Sequence, residues 1–480
     1  MKLDSLDAIA TYFTSGIRSP ATRSRWRWAG WMAVIFGAGV LFARLWLITG
    51  LVRTARIEGG SMAETLLGEH YQTPCGDCGF AFHCDAEDTP ASGRVACPNC
   101  GKQDNRLVAA NLRAGDTVLI DRWPLLWSPP RRWDVVMLKE PENGELVVKR
   151  LVGLPGERLE IRDGDLYASG VLLRKALSEL RQMAVLVHDN DFPGNNLLGS
   201  GGPNSESPWR PRSAALRWQP TGKQGFRFVP TANDASGELT PDWLEYHHQR
   251  PADSPKQKQE QEQKIARQPS HPIFDADYYN QGPLVRQFHE AHDLLLTANV
   301  RAAGSGKLTI AMTDGGDRFE LVLTLPRSQL EIRQNGERLS SDLPPLDFPP
   351  GETRLEAAVC DQQLLLALNG RTILRREYQR TAPAGAGSEN KNGGGPAPAR
   401  IALAMAGGQI ELNHLRVLRD IYYLPPLGKQ GEWRMETELA ADCFAVLGDN
   451  QPISVDSRHW PPQAIPRAAI RGVVTLRRRN

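Results

Sequence analysis

The 480-residue chain carries 57 basic and 55 acidic side chains, a near balance that excludes the basic footprint by which proteins hold nucleic acid. Its length allows two or three domains with real cores, and 35 prolines with 44 glycines favour a loop-rich, mostly β protein over a helical bundle. Seven cysteines make an odd count, and five of them fall between Cys75 and Cys100, which points to a local metal site rather than a disulfide framework.

The first element is apolar. Trp28 to Val52 is a run of 25 residues with one charge, Arg44. About 20 apolar residues suffice to cross a bilayer, and a long side chain such as Arg44 can snorkel. Arg18, Arg23, Arg25 and Arg27 precede the run without a nearby acid. That flank predicts residues 1–27 inside the cytoplasm, an anchor over 28–52, and the rest outside. A cleavable signal peptide is the alternative; the long preceding segment and the lack of a small-x-small site argue for retention.

Residues 53–71 follow, and "IEGGSMAETLLGEHY" starts at Ile57. A serine behind two glycines is by itself a turn residue. Residues 72–106 then hold "CGDCG" and "CPNCG", which place Cys75, Cys78, Cys97 and Cys100 as C-x2-C-x18-C-x2-C. Each knuckle turns two sulfurs toward one tetrahedral Zn²⁺, so a structural zinc-ribbon-like insertion is expected. Two disulfides are the rival arrangement in an oxidising compartment. Cys84 is a spare, either a substitute ligand or a bystander, while Cys360 and Cys443 lie in apolar strand patterns and are expected to be buried.

From residue 107 the runs "GDTVLIDRW", "WDVVMLKE" and "ELVVKRLVGLPGERLEI" are short, apolar and punctuated by turn residues, as strands are. "CFAVLGDNQPISVDSRHW" is a further strand-like segment near the C-terminus. Between them, residues 185–430 have their own pattern. Runs 252–270 and 384–399 are expected as solvated loops. Period-two alternation at Leu308, Ile310 and Met312, at Phe319, Leu321, Leu323 and Leu325, and at Leu364, Leu366 and Leu368 argues a β-sandwich. It is similar in pattern to the jelly-roll sandwiches of concanavalin-like lectins; packing, or binding a protein or glycan partner, are its candidate roles.

Three distant segments share a theme: "GGSMAETL", "VVKRLVGLPGE" and "GDNQPISVDSR", in this order behind an N-terminal anchor. Together they resemble the type I signal peptidase family, the membrane-anchored Ser-Lys proteases that release exported proteins. The resemblance implies an antiparallel β catalytic core assembled from 53–71, 107–184 and 431–480, with the zinc-ribbon and sandwich segments as insertions. Removing 185–430 should then leave the catalytic strands able to pair. Carried over by motif, Ser61 is the nucleophile, Lys149 the general base and Ser454 the hydroxyl that orients the lysine. Asp456 and Arg458 correspond to a structural charge pair, with Arg150 nearby. A serine hydroxyl needs a base as it attacks. An ordinary lysine is only ~0.1% neutral near pH 7.4, and a two-unit depression by burial raises that to roughly 10%.

The chain departs from the family pattern at Glu64, where S-M-x-P-T-L has proline. At Gly59, where many members carry a hydroxyl, the oxyanion would rest on backbone N–H groups, including that of Ser61. The resemblance implies an extended substrate between the strand before Ser61 and the one before Lys149. Ile57, Gly59, Met62, Leu66, Val147 and Val148 would line shallow pockets for alanine-sized residues. It further implies signal peptides of exported preproteins as substrates, membrane lipid as surroundings, the bacterial inner membrane as location, and no cofactor for the chemistry. A dedicated processing protease with a narrow client is the neighbouring reading. An inactive membrane-anchored scaffold is the distant one, and it would have no need of both Ser61 and Lys149.

Overall fold

The computed structural model describes residues 20–48, 50–194, 207–213, 217–222, 224–230, 240–248, 271–283, 286–339, 346–381, 399–426, 428–429 and 431–475. The expected loop at 252–270, and all of 384–399 except Ala399, lie outside the described residues, as do residues 1–19. The protein is mostly β, with several antiparallel sheets and one N-terminal apolar helix, Pro20–Ile48. Its window Trp28–Leu45 has mean hydropathy 1.5 and no buried residue, so by length and composition it can cross a bilayer.

A seven-stranded sheet follows the helix, in the spatial order Val52–Arg56, Thr117–Asp121, Ile470–Thr475, Val135–Lys139, Leu146–Gly153, Cys443–Leu447 and Ile465–Pro466. Two features of this order position the site. Val52–Arg56 pairs with Thr117–Asp121, so residues 57–116 are one excursion between adjacent strands. Cys443–Leu447 pairs with Leu146–Gly153, which brings the C-terminal segment beside Lys149 across some 300 residues of sequence. Because strand side chains alternate, Val147, Lys149 and Leu151 share one face, and Val148 and Arg150 the other. Leu151 and Val147 pack with Val136, Leu138, Phe444, Val446 and Trp460. Val148 packs with Ile57, Met62, Leu66, Val118 and Val135.

Within the excursion, His70–Pro74, Ala81–Asp85 and Leu112–Arg113 form a three-stranded sheet, with the ribbon Arg94–Val95 and Asn105–Arg106 beside it. A four-stranded sheet of Leu159–Arg162, Asp165–Ala168, Val171–Leu172 and Trp433–Arg434 extends the core.

The segment beyond Val185 builds two facing sheets around one apolar core. One is eight-stranded and centres on Leu294–Ala303 and Gln409–Arg419; the other is seven-stranded and centres on Gly306–Asp314 and Ile401–Ala406. Leu294, Leu296, Leu308, Ile310, Met312, Leu364 and Leu366 all point into the shared core, as the period-two pattern requires. The intervening Leu365 and Ala367 are buried too, because the helix Leu177–Met183 covers the outer face with Leu177 and Leu180. Lys175, just before that helix, is buried and paired to Asp361 at 2.7 Å and Asp420 at 2.9 Å. The sandwich is therefore tied to the core by buried apolar and charged contacts. Excising 185–430 would expose that helix face and strand Lys175, so simple removal is not the neutral operation that strand pairing alone suggests.

Candidate active site

The stretch around Ser61 is a tight loop pinned by its own apolar residues. Ile57 enters it with its N–H on the Asp116 carbonyl at 2.9 Å, and Glu69 leaves it with its N–H on the Glu58 carbonyl at 3.2 Å. Inside, Ala63 N–H donates to the Gly60 carbonyl at 3.0 Å and Leu66 N–H to the Met62 carbonyl at 2.8 Å. Met62 and Leu66 are buried, which anchors the loop and leaves Ser61 half-buried at its tip. The Ala63–Glu64 peptide, where the family pattern has proline, is cis. Gly59 is exposed and has open space where a side chain would stand.

Lys149 is only 3% exposed and stands on the strand face it shares with Val147 and Leu151. Its Nζ is 3.1 Å from Ser454 Oγ. Ser454 Oγ in turn donates to Asp456 Oδ2 at 2.7 Å, so the hydroxyl proton is committed and its lone pairs face the amine. Burial pulls the Lys149 pKa down to about 8; the Asp456 charge opposes that shift and Arg458 assists it. A depression of that size corresponds to about 3 kcal/mol of disfavour for the charged amine relative to an ordinary lysine. Ser61 and Ser454 meet at Gly448, where a Cβ would collide with both Ser454 Oγ and the Ser61 carbonyl. Only glycine allows that approach.

Two buried ion pairs hold the floor. Arg458 grips Asp456 through Nε at 2.8 Å and Nη2 at 2.7 Å. Burial disfavours the Asp456 charge, yet the Arg458 guanidinium and its hydrogen bonds hold the carboxyl well below the usual carboxylate range. Arg150 does not join this pair. It forks onto Asp449 through Nε at 2.7 Å and Nη2 at 2.6 Å, and donates to the Trp133 carbonyl at 2.8 Å. The grouping of Arg150 with Asp456 and Arg458 is corrected accordingly, because strand alternation turns Arg150 to the face opposite Lys149.

The supposed pocket residues divide in the same way. Ile57, Met62, Leu66 and Val148 form one apolar cluster, and Val147 belongs to another across the sheet. Met62 and Leu66 serve as buried anchors of the loop, leaving half-buried Val148 and exposed Gly59 nearer the surface. Sequence reading passed over two residues here. Asp449 receives Arg150 and also accepts from Thr65 Oγ1 at 2.5 Å. Asn450 donates from Nδ2 to the Gly60 carbonyl at 3.0 Å and from its backbone to the Ser61 carbonyl at 3.1 Å. Both stand in "GDN", directly before the segment that supplied Ser454, and their polarity next to apolar "FAVL" was the available signal.

The four knuckle cysteines converge, with their sulfurs all within 4.8 Å of one another. Cys75 and Cys100 sulfurs are 3.5 Å apart, and those of Cys78 and Cys97 3.7 Å. Four thiolates at Zn–S ≈ 2.3 Å on a tetrahedron stand about 3.8 Å apart, so the donor set fits zinc and is too open for disulfides. The knuckles repeat each other: Gly79 N–H returns to the Cys75 carbonyl at 3.0 Å, and Gly101 N–H to the Cys97 carbonyl at 2.9 Å. Cys84 is apart from the group, buried, with its thiol pushed up to about 12 by burial. Cys360 is buried and Cys443 half-buried. Elemental analysis of the purified chain should find about one equivalent of zinc. A metal-free preparation with any of these cysteines oxidised in pairs would refute the site.

Residues 103–200 match the family model "Signal peptidase, peptidase S26", a window that contains Lys149 and Arg150 but neither Ser61 nor Ser454. That window is similar in sequence to type I signal peptidases. The chain is 32% identical over 88 residues to signal peptidase I V of Bacillus subtilis (strain 168), covering 18% of this chain and 52% of that protein. It is 34% identical over 73 residues to signal peptidase I P of Bacillus subtilis subsp. natto, covering 15% and 37%. The chain thus spans about half the length, or less, of these curated relatives. Among solved structures it is similar to a carbohydrate-binding module, CBM66 of Bacillus subtilis, with TM-score 0.24 and 8% identity over 44% of this chain and 94% of that one. It is similar also to sheep galectin-11, with TM-score 0.18 and 13% identity over 26% and 89%. Scores of that size carry no argument about the sandwich.

Proposed function

We propose that this chain is a membrane-bound serine endopeptidase that removes N-terminal signal peptides from exported proteins, cutting after small residues with Ser61 and Lys149 as its dyad. The observation that carries the reading is Lys149 itself: a lysine buried on an apolar face, held at 3.1 Å by Ser454, with its pKa pulled down to about 8. A buried lysine whose only task is structural pairs with a carboxylate, as Lys175 does with Asp361 and Asp420. Lys149 has a hydroxyl instead, which orients the amine without forcing it to stay charged.

In the proposed reaction Ser61 Oγ attacks the scissile carbonyl carbon while Lys149 Nζ takes its proton. The oxyanion is met by backbone N–H groups, that of Ser61 among them. The Lys149 ammonium then returns the proton to the leaving amine as the C–N bond breaks, leaving an acyl-Ser61 ester. A water, deprotonated by the same amine, hydrolyses the ester and restores the hydroxyl. The helix Pro20–Ile48 serves as the anchor, with the arginine-rich flank inside and the sheet on the outer face of the bacterial cytoplasmic membrane.

The deciding experiment incubates the full chain in detergent or liposomes with an exported precursor, wild type against Ser61→Ala. Cleavage by the wild type alone supports the reading; cleavage by both places the chemistry elsewhere. On this reading a small-residue pocket sets the specificity. Replacing the alanine just before the cut by Phe or Leu should lower kcat/KM at least 100-fold, since each misfit methylene costs about 1–3 kcal/mol. Uniform cleavage across such a substrate series would rule out a small-residue pocket.

A further inference from the structure

The loop presenting Ser61 is held from outside the catalytic strands. A Cβ at Gly60 would collide with the Asp85 carboxylate and stand 3.0 Å from the Tyr279 ring and 3.3 Å from Ile453. Asp85 belongs to the cysteine-bearing excursion, Ile453 to the Ser454 turn, and Tyr279 to the large insertion. Tyr279 is fully buried and packs against Ala63 and Leu67 of the loop. The next two residues continue the strap. Asn280 Nδ2 donates to Asn450 Oδ1 at 2.6 Å, and Asn450 Nδ2 donates back to Asn280 Oδ1 at 2.9 Å. Gln281 accepts from Ala96 N–H at 2.6 Å and donates to the Ala96 carbonyl at 2.9 Å, while the Tyr279 carbonyl accepts from Asp85 N–H at 2.9 Å.

Asn280 occupies the point of leverage. The Asn450 side chain has one amide nitrogen and one oxygen; the nitrogen serves both the Gly60 carbonyl and Asn280 Oδ1, and the oxygen receives Asn280 Nδ2. This reciprocal pair fixes which way the Asn450 amide faces. A flipped amide would put oxygen against the Gly60 carbonyl. The Gly60 carbonyl and the Ser61 N–H belong to one planar trans peptide and point in opposite directions. Holding the carbonyl therefore aims the Ser61 N–H, the group assigned above to the oxyanion.

We infer that Asn280, contributed by the large insertion, is a positioning residue that sets the Ser61 N–H through Asn450 and the Gly60 carbonyl. The inference rests on the peptidase reading for its kinetic consequence but not for its structural one. In the full chain, Asn280→Ala should lower kcat about tenfold with KM little changed, since the oxyanion forms only in the transition state. The midpoint of the pH profile should stay put, because Asn280 does not touch Lys149. Asn280→Asp, which keeps the size but sets a second acceptor against Asn450 Oδ1, should be at least as damaging. Combining Asn280→Ala with Asn450→Ala should be no worse than Asn450→Ala alone. Arg301→Ala, at an exposed site of the sandwich, should change nothing. An unchanged kcat in Asn280→Ala, or additive losses in the double variant, would overturn the inference. Hydrogen exchange decides it separately from catalysis: amides of Ala63 and Leu66 should exchange about tenfold faster in Asn280→Ala, with strand Leu294–Ala303 unaffected. Unaltered exchange in the loop overturns the strap, whereas a wild type that cleaves no precursor sinks the peptidase reading and leaves the exchange result to stand alone.

Discussion

Ser61→Ala and Lys149→Ala should each remove precursor cleavage by at least about 10⁴-fold while the protein stays folded, because attack needs the hydroxyl and a neutral amine together. Members of one catalytic unit are not additive, so the double variant should lose no more than either single one. Lys149→Arg should not restore activity, since a guanidinium stays charged and cannot accept the proton. In the wild type, kcat/KM should rise with pH along a single ionisation near 8 and level off above it, as the lysine loses its proton. At pH 7 only roughly 10% of an amine with that pKa is neutral, so about a tenfold increase remains available above neutrality. Ser454→Ala should be milder than either dyad variant, because it removes the group that orients the amine and leaves the amine itself. Full activity in Lys149→Ala, or a profile that is flat from pH 6 to 10, would rule out the lysine as base.

Arg458→Ala should be the most destabilising single change at the site. The Arg458 and Asp456 side chains are both 0% exposed, and the pair is closed by two hydrogen bonds. Removing one partner of such a pair costs about 3–5 kcal/mol, chiefly from the charge left behind. In the wild type Asp456 has a lowered pKa, so its contribution is present above its unfolded value near 3.9 and lost only in stronger acid. Without Arg458 the sign reverses. Burial then dominates and raises the carboxyl pKa, so the penalty is absent in acid and grows as pH rises past about 4. The gap between variant and wild type should accordingly be widest at pH 8 and narrow toward pH 4. Denaturant midpoints across that range provide the measurement; identical midpoints at pH 8 would mean that the pair is not a stabilising floor. The freed Asp456 also changes what Ser454 donates to, so the same variant should lose cleavage activity.

What the sequence determined by itself was local. The apolar run over the helix Pro20–Ile48, the spacing of Cys75, Cys78, Cys97 and Cys100, and the period-two alternation through Leu308–Met312 are short-range signals, and each is carried by residues close together in the chain. The motif order around Ser61, Lys149 and Ser454 was legible for the same reason: each segment carries its own residue types. Tertiary structure decided which distant groups share a volume. Arg150 pairs with Asp449 rather than Asp456 because a strand turns successive side chains to opposite faces, and the same alternation separates Val147 from Val148. The apolar run Gln363–Leu368 is buried on both faces only because a helix from the core covers one of them. Asn280 lies 170 residues from Asn450, in a stretch with no pattern of its own. Its place against the Ser61 loop exists only once the sandwich has docked, since a hydrogen bond between two amides leaves no periodicity or spacing in either segment.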